Sequence, residues 1–91
     1  MPRFIAVHTV PPMTEEDFMG QAKGMFEKIS QLPPDVGYNL SYCGLADGKI
    51  FCDWEGPDKN TVAQVIKATG LPLDAVYPVK KFNPAKMAFE D

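Results

Sequence analysis

The apolar positions of this chain fall into short blocks separated by prolines and glycines. Residues 3–10, RFIAVHTV, are rich in β-branched and aromatic side chains and read as a strand. Phe4, Ile5, Ala6 and Val7 follow one another without a polar break. A strand apolar on both sides is covered on both sides. Pro11 and Pro12 end it. Thr14 reads as a helix N-cap, with Asp17 three residues on as an acidic form of the capping box. Phe18, Ala22, Met25, Phe26 and Ile29 then mark one face of a helix over residues 14–31, which stops before Pro33 and Pro34. Gly20 and Gly24 weaken that helix locally and would let it approach a sheet closely.

Residues 36–44 and 49–56 read as two further strands, with the turn signal Asp47-Gly48 between them. Pro57 closes the second of these. Asp58 or Asn60 caps a second helix, with Val62, Val65, Ile66 and Thr69 as its inner face and Gly70 as its stop. Residues 74–80 form a short strand, and Pro78 inside it argues for an edge position. The order is β-α-β-β-α-β. Two right-handed crossovers turn that order into an α+β fold, ferredoxin-like βαββαβ: a four-stranded antiparallel sheet with both helices on one face. The other face is left bare. The first strand is apolar on that side too, so two copies stacked there would form a dimeric α/β barrel-like assembly. The expected domain is residues 1–82. Residues 83–91 form a C-terminal tail whose apolar Met87 and Phe89 should dock on the sheet or on a partner subunit.

The segment SYCGLADGKIFCDWEGP, residues 41–57, holds both cysteines and the single tryptophan. With Asp47-Gly48 as a two-residue turn, Cys43 faces Cys52 and Ser41 faces Trp54. A three-residue loop would instead put Tyr42 beside Cys52, and the pattern leaves the two registers open. The thiols read first as small, buried, inert side chains. A reactive thiol needs positive charge nearby, and Asp53 and Glu55 supply the opposite. Trp54 reads as core or interface area. Tyr38, Leu40 and Tyr42 alternate onto one face, where an aromatic dimer seam is favoured over a pair of phenols serving a ligand. His8, the single histidine, reads first as a packed, hydrogen-bonded residue. A metal there would need carboxylates or the His8 of a partner. No Ser-His-Asp pattern, phosphate-binding glycine loop or Cys-x-x-Cys occurs.

Composition narrows the partners. Ninety-one residues make one domain, which buries only about 60–65% of its unfolded surface and gains from pairing with a copy of itself. Nine Lys and Arg against twelve Asp and Glu give a net charge of −3, which argues against nucleic acid and anionic membrane. The first twelve residues lack the long apolar region of a secretory signal. No run approaches the roughly 18 apolar residues of a membrane span. A cytoplasmic protein with reduced thiols is expected.

The string Ser41-Tyr42, followed by Lys49, Cys52, Trp54 and Pro57, together with MPRFI, MTEED and GLPLDAVYPV, resembles a family of small ferredoxin-like proteins of unknown function. That family includes a bacterial nickel-binding protein. The resemblance covers about residues 1–80 and includes Gly70, Pro72 and Asp74. It implies a symmetric dimer. It carries nickel over poorly, because members with that property look histidine-rich and imidazole suits Ni²⁺. Here only His8 falls at a histidine position, and Leu40 stands where some relatives place a histidine.

The leading functional expectation is a small homodimeric binding protein. It would hold a small molecule, or a divalent metal such as Ni²⁺ on His8, between sheet and helices. The ligand-binding set expected is His8, Tyr42, Cys52 and Trp54. The alternative is an enzyme of the dimeric α/β-barrel type, a cofactor-independent monooxygenase or isomerase, which predicts a cavity beside His8. An RNA-recognition module shares the element order. It ranks last, because Asp53 stands where an aromatic should stack.

Overall fold

The computed structural model describes residues 2–29 and 31–90. Strand β1 (Arg3–Thr9) leads into helix α1 (Glu15–Ile29), the strands β2 (Gly37–Gly44) and β3 (Lys49–Glu55), helix α2 (Lys59–Ala68) and strand β4 (Ala75–Val79). The four strands form one antiparallel sheet in the order β2-β3-β1-β4. The βαββαβ expectation therefore holds, with β1 in the middle and the Pro78-bearing β4 at an edge. The core lies on one face of the sheet. Phe4, Ala6, Ile50, Cys52, Trp54 and Val76 meet Val62 and Ile66 of α2 there, all buried.

The helix starts follow the sequence. Asp17 N donates to Thr14 Oγ1 at 3.1 Å, and Thr14 N donates back to the Asp17 carboxylate at 3.4 Å, a reciprocal capping box. Of the two candidate caps of α2, Asp58 is the one used. Its carboxylate accepts from Thr61 N at 2.7 Å. Gly70 ends that region at φ +84°, in the left-handed range that favours glycine.

Three expectations fail on local geometry. The β2–β3 connection is neither of the two loops considered. Cys43 pairs with Ile50 and Ser41 with Cys52. A 3₁₀ turn over Leu45–Asp47 and left-handed Gly48 make a four-residue link. The cause is tertiary: Val10 N donates to Gly48 O at 2.9 Å and Met13 N to Leu45 O at 3.1 Å. The loop is thus docked on the end of β1. A Cβ on Gly48 would lie 2.2 Å from the Val10 carbonyl oxygen, so glycine is required there for space as well as for φ. Second, a β-bulge falls between Tyr38 and Leu40. It turns Tyr38 toward the helices and leaves Leu40 and Tyr42 on the bare face. Third, Gly20 and Gly24 serve no close approach, since nothing lies within 4 Å of the Cβ position at either.

The bare face carries Ile5, Val7, Leu40, Tyr42, Phe51 and Tyr77, and the last four are exposed. Arg3 sits among them and donates to both oxygens of Asp53 at 2.6 and 2.8 Å and to Glu55 at 3.4 Å. After β4 the chain forms a separate hairpin, β5 (Lys81–Asn83) with β6 (Ala88–Glu90). Phe82 and Phe89 pack edge to face across it at 5.3 Å, and both remain exposed.

Candidate functional site

The site begins with a row of small side chains. Across the covered face, Ser41 of β2 lies opposite Cys52 of β3, which lies opposite Ala6 of β1. Larger rows flank it: Tyr38, Trp54 and Phe4 on one side, Ile50 and His8 on the other. Helix α1 does not fill the dip. Ala22 is its buried residue, while Phe18, Met25 and Ile29 are partly buried and Phe26 is 54% exposed. Hydrogen bonds tie the helix at its two ends: Met13 N, just before it, donates to Leu45 O at 3.1 Å, and the Lys28 ammonium donates to Thr69 O at 3.2 Å. A cavity of about 70 Å³ remains between α1 and the sheet, several times what one water requires.

The cavity is apolar with a polar floor. Its roof includes Phe18, Ala22, Met25, Phe26 and Ile29, and its floor His8, Tyr38, Ser41, Cys52 and Trp54. No Lys, Arg, Asp or Glu is among the described residues that line it. Tyr38, Ser41 and Cys52 form one hydrogen-bonded chain. The Ser41 hydroxyl donates to Cys52 Sγ at 3.1 Å, so the Tyr38 phenol donates to Ser41 Oγ. Burial pushes the Cys52 thiol and the Tyr38 phenol upward, partly offset by their hydrogen bonds with Ser41. Both groups are neutral at physiological pH.

Two polar atoms of the floor have no protein partner. Trp54 Nε1, on a ring tilted over Tyr38 at 5.0 Å, is buried and donates to nothing among the described residues. His8 is fully buried, and its Nδ1 lies 2.7 Å from the Pro72 carbonyl oxygen. A carbonyl only accepts, so Nδ1 carries a proton. In the neutral ring Nε2 is then a bare lone pair, and it too is unpartnered.

Of the four residues singled out from the sequence, the fold brings His8, Cys52 and Trp54 to one cavity. Tyr42 is not among them. It lies on the bare face, 68% exposed, opposite Phe51. Tyr38 and Ser41 take its place beside Cys52, and the roof residues of α1 complete the lining. The helix periodicity already grouped Phe18, Ala22, Met25, Phe26 and Ile29. The gap beneath them had no signal beyond the small residues Ala6, Ser41 and Cys52.

Metal binding meets an unsuitable donor set. Among the described residues no three of His, Cys, Asp and Glu are grouped to hold an ion. His8 and Cys52 offer at most two such donors in the cavity, and a tetrahedral or octahedral ion needs four to six. His8 faces the helices, so a copy stacked on the bare face would not bring its own His8 alongside. These residues do not fit a resident nickel ion.

The profile of a family described as nickel responsive protein, SCO4226-like, matches residues 4–79, which span both helices and all of the four-stranded sheet but Arg3. Among solved structures, the crystal structure of SCO4226 from Streptomyces coelicolor A3(2) superimposes with a TM-score of 0.67. It is 22% identical, over 85% of this chain and 94% of that one, a likeness of fold. A search of curated proteins finds no match. No helix among the described residues is long and apolar enough to cross a membrane. The match takes in the cavity-facing residues and ends at Val79, before the β5–β6 hairpin, and the chain belongs to the SCO4226-like family of nickel responsive proteins.

Proposed function

We propose that this protein is a homodimeric binding protein that holds a small, mostly apolar organic molecule in the cavity between α1 and the sheet, with α1 moving outward to admit a benzene-sized ring, which needs about twice the resting 70 Å³. The observation that carries this reading is the pair of buried, unpartnered nitrogens, His8 Nε2 and Trp54 Nε1, on the floor of an apolar cavity. A buried polar group without a partner costs about 1–3 kcal/mol, which an occupant of the cavity, ligand or water, recovers. A ligand that offers one partner to each recovers that cost.

The homodimer rests on the bare face. Leu40, Tyr42, Phe51 and Tyr77 are exposed beside Ile5 and Val7 on a sheet side that no helix covers. A second copy is the occupant that buries all of them at once. The tail hairpin leaves Phe82 and Phe89 exposed, and the partner subunit is the surface assigned to cover them.

Trp54 is the single tryptophan and lines the cavity, so its emission reports occupancy directly. Titration with toluene is expected to change that emission saturably in the wild type. Ala22→Leu, which fills the roof, should abolish the change while circular dichroism stays native. A linear, non-saturating response, or one indifferent to Ala22→Leu, contradicts the reading.

A further inference from the structure

We infer that the cavity selects an uncharged aromatic molecule bearing a hydroxyl, a simple phenol, whose O–H donates to His8 Nε2. This deepens the cavity reading above and rests on it. Three features exclude other classes. The absence of Lys and Arg from the described lining leaves a carboxylate or phosphate uncompensated, and the absence of Asp and Glu does the same to an amine. The roof pairs Phe18 and Phe26 with Met13 and Met25, which suit an aromatic ring through edge and sulfur contacts.

The floor then sets the polar requirement. Pro72 O occupies Nδ1 of His8, so the ring has only Nε2 to offer and offers it as an acceptor. Its complement is a ligand donor. The protons of Tyr38 and Ser41 are committed to Ser41 and Cys52; the Tyr38 and Gln21 oxygens can also accept, but His8 Nε2 is the buried acceptor with no partner of its own. Trp54 Nε1 is two residue rows from His8 along the sheet, across the small row of Ala6 and Cys52. It supplies a donor to the ring face or to an acceptor at the far end of the ligand. A pure hydrocarbon would leave both nitrogens unpartnered. An ether would serve only Trp54.

The test uses three probes of nearly equal shape: p-cresol, p-xylene and 4-methylanisole, each titrated against Trp54 emission and by calorimetry. Simple partitioning out of water favours p-xylene over p-cresol by roughly tenfold, because the phenol must leave its water partners. The inference expects p-cresol to bind at least as tightly as p-xylene and more tightly than 4-methylanisole. In His8→Asn the side-chain amide still donates to Pro72 O, but no acceptor reaches the Nε2 position. That variant should weaken p-cresol about tenfold and p-xylene by less than about twofold. A wild-type preference for p-xylene of the partitioning size, or equal losses for both probes in His8→Asn, overturns the phenol assignment and leaves the cavity reading standing. Binding by none of the three overturns both. The wild-type series needs no substitution, so the inference remains testable if His8→Asn fails to fold.

Discussion

At His8 a single hydrogen bond carries the polar end of the proposed site. The Pro72 carbonyl holds one ring nitrogen and thereby fixes what the other can do. Cys52 and Tyr38 behave in the opposite way, with every polar contact directed within the protein. Burial raises both groups, from ordinary values of 9.0 and 10.0. The folded state therefore keeps their protons longer than the unfolded chain does. Their contribution is complete below the unfolded value and is lost as pH rises through the folded one. Urea midpoints should fall from about pH 9 upward, and Cys52→Ala should flatten that fall. Alkylation at neutral pH should find Cys43, which is exposed, well before Cys52. At this scale the sequence was partly legible. A buried Cys52 and a hydrogen-bonded His8 follow from residue type, whereas the expectation of a buried Cys43 fails, because it sits at the exposed end of β2. The facing of Tyr42 was not, because one bulge at Asn39 exchanges the two sides of β2 for every residue after it.

At the scale of elements, the caps decide more than the propensities. Thr14 and Asp17 start α1 where periodicity puts it, and Asp58 starts α2. The β2–β3 loop lay beyond such reasoning. Asp47-Gly48 favours a two-residue turn in isolation, but Val10 and Met13 draw two loop carbonyls onto the end of β1 and lengthen it. The two helices also differ in what holds them. Val62 and Ile66 anchor α2 fully, whereas α1 spans a cavity, with Ala22 as its buried residue and hydrogen bonds from Met13 and Lys28 at its ends. Hydrogen exchange should therefore be faster in α1 than in α2. Thr14→Ala should cost about 1 kcal/mol and raise exchange chiefly in α1. Saturation with p-xylene should slow α1 exchange and leave α2 unchanged. Uniform protection of both helices would mean that α1 is no separate roof.

At the scale of the whole molecule, one sheet face is closed by helices and the other leaves Leu40, Tyr42, Phe51 and Tyr77 open, which is the face assigned above to a second copy. The two-sided apolarity of β1 led to the same proposal from the sequence. Sedimentation should give a dimer. Phe51→Glu places a charge among Leu40, Tyr42 and the rim pair Arg3–Asp53, and should weaken association at least about tenfold without loss of helix content. A wild-type monomer at all concentrations would contradict the pairing. The family description carries the word nickel, yet the cavity presents ring nitrogen, thiol and hydroxyls without a third metal donor of the usual kinds. Calorimetry with Ni²⁺ should show no stoichiometric binding that His8→Ala removes.

All three scales converge on the space beneath α1. The most direct measurement is a crystal structure of the protein with p-cresol. The account predicts density for one ring per chain above Cys52 and Ala6, with its hydroxyl within hydrogen-bond distance of His8 Nε2. An empty or collapsed cavity, with p-cresol found only on the open sheet face or nowhere, would contradict it.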